Sequence, residues 1–185
     1  MNVKKVTAAA IVALAMVACQ NDTCRINGEA RSFKDGTWLY LTADLNNGTP
    51  ADSLCVRHGR FVYQQTTGTT SLCLIYPAGA SPCSGITFFT EPGNIYIELV
   101  KEPGRSRVSG TKVNNEWQAL NDSISRCDHS IRTLMRNSRD SISLQRLSAD
   151  LQRLYDNMEK AIGATAQRNL DNALGQFINS HYRSQ

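Results

Sequence analysis

The residues of this sequence best suited to chemistry are its cysteines. Apart from Cys19, five cysteines are spread along the chain: Cys24, Cys55, Cys73, Cys83 and Cys127. Because five thiols cannot all pair within one chain, at least one is expected to be free or to bridge to another molecule. No two of them form a Cys-x-x-Cys motif, in which a helix N-terminus lowers a thiol pKa. We therefore expect small buried side chains, with room for one structural disulfide, rather than a redox centre.

Histidines and serines give no clearer sign of a reactive centre. None of the three histidines (His58, His129 and His181) lies at zinc-ligand spacing from a pair of cysteines. Cys127 and His129 are two residues apart and point to different sides of a helix. The sequence has no Gly-x-Ser-x-Gly nucleophile motif and no glycine-rich phosphate loop. We expect no catalytic residue, no metal site and no cofactor, and hence a protein that is not an enzyme.

The first nineteen residues resemble a bacterial lipoprotein signal. Lys4 and Lys5 precede an apolar stretch at residues 6–18, which would span roughly 20 Å as a helix and is too short to cross a bilayer. Residues 16–19 read Met-Val-Ala-Cys and resemble a lipobox, in which a small residue precedes the cysteine that is acylated. An ordinary secretory signal that contains a cysteine is the alternative.

This reading predicts where the protein is found. Residues 1–18 would be removed as a signal peptide, Cys19 would carry the lipid, and residues 19–23 would form a short polar tether. The mature protein would be exported and held in the cell envelope by its lipid anchor, on the periplasmic or surface face of the outer membrane. Its partners would be that membrane and an envelope protein.

The distribution of charge argues against nucleic acid as a partner. The formal net charge is +4, and both lysines of the signal contribute to it. Residues 24–112 carry 9 basic and 7 acidic side chains, and residues 113–185 carry 9 and 8. A nucleic-acid binder concentrates positive charge on one face or element, and the sequence shows no such run.

Residues 24–112 have the pattern of a β domain. Short apolar, β-branched and aromatic runs alternate with turn signals about every ten residues, which predicts an antiparallel sandwich or barrel of seven or eight strands. The pair His58-Gly59 predicts a tight hairpin between two of these strands. Trp38 and Phe61 are expected to anchor the core. A sugar-binding surface is the weaker interpretation for the aromatics concerned, which are Trp38, Tyr40, Tyr63 and Tyr76.

Residues 113–185 change to a helical period. Apolar side chains recur at spacings of three and four from Trp117 to Leu134 and again from Leu144 to Ala161, and a shorter series occupies residues 170–182. Two series of equal length joined by a short connection predict an antiparallel helical hairpin, followed by a short terminal helix. The predicted fold class is therefore α+β.

Several short motifs of the β half carry a family resemblance. They are Ile-Asn-Gly at residues 26–28, Asp-Gly at 35–36, Trp-Leu-Tyr-Leu at 38–41, Asp-Ser at 52–53, Phe-Thr-Glu-Pro-Gly-Asn-Ile at 89–95 and Val-Ser-Gly-Thr at 108–111. In order and spacing they resemble a domain of unknown function that is common in exported proteins of the Bacteroidota. There it forms the N-terminal β domain of thioredoxin-like thiol–disulfide oxidoreductases.

The resemblance implies an accessory rather than a catalytic role. In those relatives a thioredoxin domain with a Trp-Cys-x-x-Cys site follows the helical linker, and no such motif occurs before Gln185. No catalytic residue can therefore be transferred to this chain. We expect a non-catalytic binding or scaffolding module. Two alternatives are a redox partner that forms a mixed disulfide through an unpaired cysteine, and a remnant of a longer oxidoreductase.

Three serines resemble acceptors for O-glycosylation. Ser53, Ser123 and Ser141 each lie between an aspartate and an apolar residue, as in the acceptor used by Bacteroidota. The alternative is structural, because Asp-Ser is also common at strand starts and helix caps. Ser141 is the best candidate, since it falls in the predicted turn between the two long helices. A glycan there would add bulk and solubility.

Overall fold

The computed structural model describes residues 22–45, 47–137 and 144–182, which form eight strands and then three helices. The strands are β1 (Thr23–Glu29), β2 (Trp38–Thr42), β3 (Asp52–Cys55), β4 (Arg60–Thr66), β5 (Leu72–Pro77), β6 (Ile86–Phe89), β7 (Gly93–Glu98) and β8 (Arg107–Ser109). The helices are α1 (Lys112–Asn137), α2 (Leu144–Arg168) and α3 (Ala173–Tyr182). The predicted α+β class is confirmed.

The strands form two four-stranded sheets. The first sheet has the order β4-β1-β7-β8 and the second has the order β3-β2-β5-β6, so the described strands form a sandwich and no closed barrel. The pairs are antiparallel except for β1 and β7, which run parallel. The sequence pattern did not predict that exception, because period-2 alternation shows which face of a strand is buried and not which strand lies beside it.

The core lies between the two sheets and follows the alternation of each strand. On β1 the buried residues Cys24 and Ile26 alternate with the exposed or half-buried Thr23 and Arg25. The largest fully buried side chains come from both sheets and the helices: Phe88, Phe89, Ile26, Leu39, Ile75, Ile95, Ile97, Leu99, Leu120, Leu174, Ile178 and Val56. Full burial of one such side chain stabilises the fold by about 1.5–3 kcal/mol.

The turn at His58-Gly59 forms as predicted, but the strands around it do not make a regular hairpin. Both residues have positive φ, 51° and 68°, and the backbone groups of Arg57 and Arg60 exchange hydrogen bonds of 2.8 and 3.0 Å. Beyond this single bridge the chain separates, since β3 belongs to the second sheet and β4 to the first. The tight turn therefore connects the two layers of the sandwich.

Of the two predicted aromatic anchors, one is confirmed and one is wrong. Phe61 is buried in the core, whereas Trp38 is 54% exposed. Trp38 is the first residue of β2, and because Leu39 and Leu41 point into the core, the alternation turns Trp38 outwards. Among the other aromatics of the second sheet, Tyr76 is buried and its hydroxyl donates to the carbonyl of Gly48 at 2.6 Å.

The first turns of α1 supply hydrogen-bond partners to the edge of the second sheet. The buried side chain of Asn114 accepts from the N–H of Phe89 and donates to the carbonyl of the same residue, both at 2.8 Å. The indole N–H of Trp117 donates to the carbonyl of Thr87 at 3.1 Å. Edge strands leave such groups unpaired, and α1 pairs them here on β6.

The first turns of α1 also supply hydrogen-bond partners to the edge of the first sheet. The side chain of Gln118 accepts from the N–H of Val108 on β8 at 2.9 Å, and the side chain of Asn115 accepts from the N–H of Gly110 at 3.0 Å. One helix end therefore closes both layers along one side of the sandwich. The core is correspondingly continuous, because Trp117 and Leu120 belong to the same hydrophobic cluster as the strands.

The beginning of α1 is also fixed by a half-buried carboxyl group. The Oε2 atom of Glu91 accepts from the N–H of Val113 at 2.9 Å, which satisfies one of the free donors at the helix start. Burial raises the pKa of Glu91, while the hydrogen bonds from the backbone of α1 oppose that shift.

The short helix α3 fills the angle between the long helices and the sandwich. Leu174 and Ile178 are fully buried, and the ring of Phe177 meets the ring of Trp117 edge to face with centroids 5.5 Å apart. A third aromatic, Phe89 of β6, contacts both rings. This cluster holds the base of the helical hairpin against the second sheet.

We expect Asn114→Ala to lower the free energy of unfolding by about 2–4 kcal/mol, because two buried backbone groups of Phe89 would lose their partner. Urea unfolding followed by circular dichroism measures this. The matched control is Asn115→Ala, the neighbouring asparagine, which is exposed and makes one hydrogen bond, so its loss should be below about 1 kcal/mol. Equal losses in the two variants would contradict this account of the sheet edge.

Candidate functional site

The two buried cysteines lie in the core and are poorly suited to reaction. Cys24 on β1 and Cys73 on β5 point inwards from the two facing sheets and belong to the common hydrophobic cluster. Burial raises the pKa of Cys24 to about 11, and the nearby Cys73 and Glu91 add to the shift. Burial also raises the pKa of Cys73. Since the thiolate is the reactive form, both thiols are expected to be inert.

The remaining cysteines are more accessible. Cys55 at the end of β3 and Cys127 on α1 are half-buried, while Cys83 is exposed in a short turn where its N–H donates to the hydroxyl of Ser81 at 3.3 Å. All five cysteines of the described residues are free thiols. The structure thus separates one exposed thiol from two deeply buried ones, a distinction that spacing alone did not give.

The three histidines lie on different elements of the fold, His58 in a turn, His129 on α1 and His181 on α3. His58 occupies the turn between the sheets, next to Asp35, whose carboxylate accepts from the N–H of Gly59 at 3.2 Å. Backbone hydrogen bonds from His58 and Gly59 lower the pKa of Asp35. His181 stacks on the ring of Phe177 at 4.2 Å. Among the residues that the structure describes, no three His, Cys, Asp or Glu side chains form a group able to hold a metal ion.

The candidate modification sites differ in accessibility. Ser53 is exposed on the edge strand β3. Ser123 is half-buried on α1, and its hydroxyl donates to the carbonyl of Ala119 at 3.0 Å. Ser141, the favoured glycosylation site, and Cys19, the expected lipidation site, both lie outside the described residues. Both modifications stay predictions.

The most prominent surface is the outer part of the helical hairpin. We call residues 121–137 of α1 and 144–161 of α2 the helical arm. None of its side chains is buried, whereas each helix has buried residues at the end that packs on the sandwich. At 1.5 Å per residue the arm extends about 25 Å from its base. The apolar series predicted from the sequence runs along the arm, where its side chains are half-buried or exposed.

One side of the arm carries exposed apolar side chains. Leu144 is 84% exposed, and Tyr155 is also exposed. Eleven residues separate them, which at about 100° per residue brings them to nearly the same face of α2. We call this face of α2 the apolar side. The sequence pattern does not indicate that either residue is exposed, because Leu144 is simply the first residue of the regular apolar series and Tyr155 is not part of that series.

A shallow groove lies on the other side of the arm. It has a volume of about 430 Å³ and runs between α1 and α2, with Leu134 and Leu154 among its lining residues. Asp150 and Arg153 line it as well and form an ion pair of 3.1 Å. This side of the arm therefore combines apolar side chains with one ion pair, while Leu144 and Tyr155 are exposed on the apolar side.

Three arginines lie near the end of the arm, namely Arg132, Arg136 and Arg146. Arg132 forms an ion pair of 3.6 Å with Asp128, one turn closer to the base of the arm. Averaged over residues 113–185 the charge is nearly balanced, and the grouping of these arginines becomes apparent only when the fold brings the two helix ends together. An acidic partner surface would complement this end.

Comparison with known proteins identifies the β half and the first turns of α1 as one unit. The model of a family described as a domain of unknown function (DUF4369) matches residues 24–117. The matched residues include the eight strands apart from Thr23, the first residue of β1, together with Asn114 and Trp117. Neither a curated protein nor a solved structure matches the chain. None of the described helices is long and apolar enough to span a membrane.

We expect the thiols to react with iodoacetamide in the order of their exposure. At pH 8, a thiol with a pKa of about 11 is thiolate in only about one molecule in a thousand, and Cys24 is also buried, so it should be alkylated at least about 100-fold more slowly than the exposed Cys83. Peptide mass spectrometry at timed intervals gives the rates. In denaturant the five cysteines of the described residues should react alike, and equal rates in the folded protein would contradict the burial of Cys24.

Proposed function

The chain belongs to the DUF4369 family of domains of unknown function, and we propose that it is a non-catalytic binding module that presents its helical arm to a partner protein. The observation that carries this proposal is the difference between the base and the outer part of the helical hairpin. Its base is locked to both sheets, while its outer part exposes apolar side chains that nothing in the described chain covers. Exposed apolar surface of this kind is typical of protein interaction sites.

The base of the arm is suited to holding it in a fixed direction. Asn114 and Trp117 bind the second sheet, and Gln118 binds the first, so the start of α1 is attached on two sides. The side chain of Arg168, at the end of α2, donates to the carboxylate of Glu116 at 2.8 Å and ties the two helices together. A preorganised surface of this kind loses little conformational entropy on binding.

The surface of the arm defines the chemistry of its partner. The apolar side suits the apolar face of an amphipathic helix, since helices commonly bind by laying such a face against another helix or groove. The arginines near the end of the arm favour a partner helix with acidic flanks. We therefore infer an envelope protein that presents an amphipathic, acidic helix.

We further propose that the protein is exported and anchored by a lipid on Cys19. The support is the basic, apolar and Met-Val-Ala-Cys sequence of residues 4–19. Because β1 begins at Thr23, only the few residues between Cys19 and β1 would form the tether, which would place the sandwich close to the membrane. The family motifs support an origin in exported Bacteroidota proteins, in which the domain accompanies thioredoxin-like oxidoreductases.

A second candidate function is that of a redox partner, favoured by the exposed thiol of Cys83. The Cys83 thiolate would attack a disulfide of a separate thioredoxin-like protein, forming a mixed disulfide and releasing one partner thiol. This function requires an adduct that reducing agent removes and that Cys83→Ser lacks. The binding function of the arm requires neither property.

We expect radiolabelled palmitate to enter the wild-type protein and not Cys19→Ala, because the acylated thiol would be absent. Labelling is read by autoradiography after expression in a host that has the lipoprotein pathway. Cys24→Ala is the matched control, since Cys24 is the next cysteine of the chain and lies in the core. Equal labelling of wild type and Cys19→Ala would remove the anchor from the proposal.

We expect a photoreactive residue at position 155 to crosslink a partner protein in intact cells, because Tyr155 lies on the apolar side. The matched control is position 157, which is also exposed and faces nearly the opposite side of α2. Adducts are detected on reducing gels, which exclude disulfides. Adducts at position 155 and none at 157 are expected. Equal adducts at both positions, or none at either, would contradict docking on the apolar side.

A further inference from the structure

The outer face of the first sheet carries an ordered array of polar side chains around one aromatic ring. The strand register places Gln64, Arg25 and Asn94 side by side in one row across β4, β1 and β7. In the next row Asn27 lies between Val62 and Tyr96. Five of these six residues, all but Gln64, line an open depression of about 540 Å³.

The ring of Tyr96 is held in place on this face. It is 52% exposed, and Gly110 beside it has a positive φ of 110°. A Cβ atom at Gly110 would lie 2.8 Å from the Cδ2 atom of the Tyr96 ring and 2.2 Å from the carbonyl oxygen of Asn94. The absence of a side chain at residue 110 therefore lets the ring lie close against the end of β8, with much of its surface open to solvent.

The polar groups around the ring are available to a ligand. Within the described part of the chain, the side-chain amides of Asn27 and Asn94 make no hydrogen bond, and neither does the hydroxyl of Tyr96. The Nε and Nη2 atoms of Arg25 donate to the Oε1 atom of Gln64 at 3.3 and 2.9 Å, which orients that amide and leaves its NH₂ group free. Of these planar amides, that of Asn27 lies directly beside Tyr96, that of Asn94 lies two residues away on the same strand, and that of Gln64 lies two strands away.

The charges on this face are of both signs. In the third row of the sheet, Arg60, Glu29, Glu98 and Arg107 follow one another across the four strands, so that two basic and two acidic side chains share the row. Arg107 forms an ion pair with Asp122 of α1. A balanced arrangement of this kind attracts neither a polyanion nor a polycation strongly. The ligand is therefore expected to be neutral or weakly charged.

We propose that the outer face of the first sheet binds a pyranose ring of a glycan. A pyranose has an apolar C–H face, which would pack on the exposed ring of Tyr96, and a rim of hydroxyls that both donate and accept hydrogen bonds. The amides of Asn27 and Asn94 match that rim. An amphipathic ring such as tyrosine suits a ligand with one apolar and one polar side. This site is separate from the helical arm and does not depend on the function proposed for it.

Affinity gel electrophoresis tests the site on the full-length protein in mild detergent. The gels contain xyloglucan, galactomannan, arabinogalactan, pectic galactan or mucin, each over a range of concentrations. We expect at least one of the five to slow the wild-type protein, and we expect Tyr96→Ala to weaken that binding at least tenfold. Asn27→Ala should weaken it as well, since it removes one amide from the row. Melting temperatures of the variants establish that they are folded.

The matched control is Trp38→Ala, because Trp38 is an aromatic of similar exposure on the other sheet. It should bind as the wild type does. No retardation by any of the five glycans overturns the proposal, and so does retardation that Tyr96→Ala retains or that Trp38→Ala abolishes. Neither result would bear on photocrosslinking at position 155, so the two proposals succeed or fail separately.

Discussion

The whole structure depends on one helix end that completes two sheets. A β-sandwich has edges at which backbone N–H and C=O groups lack partners, and burying such groups unpaired is costly. Here the carboxamide of Asn114 replaces a neighbouring strand for β6, and Gln118 does the same for β8. The helix that meets this need continues outwards as part of the helical arm. Closing the sandwich and presenting the arm are therefore consequences of the same contacts.

The elements that could be predicted are those defined by local pattern. The period-2 runs located the strands, and the spacings of three and four from Trp117 onwards located the long helices. What could not be predicted depends on distant parts of the chain. The parallel pairing of β1 with β7 is the clearest case. The outward position of Trp38 is different, because it follows from the local alternation with Leu39 and Leu41, and only an expectation based on the size of the ring placed it in the core. Asn114 resembled any polar residue near a helix start, since its partner Phe89 lies in a strand.

The residues with reactive side chains were the natural starting point for a function, yet the fold disperses them. Cys24 and Cys73 contribute to the core as small apolar groups, and His58 contributes a turn. The surfaces that carry the proposals are made of ordinary residues whose importance comes from exposure. A sequence shows the period of an apolar series but not whether a partner within the chain covers it. The half-covered arm and the open ring of Tyr96 could be recognised only in three dimensions.

The parallel contact between β1 and β7 also determines the order in which the protein can assemble. Strand β1 lies in the interior of the first sheet, and one of its two neighbours, β7, comes from the far end of the β half, as the pairing of Ile26 with Ile95 shows. Contacts of such wide sequence separation form slowly, whereas the two long helices contact each other locally and form quickly. Docking of α1 onto the two sheet edges joins the β half and the helices into one cooperative unit.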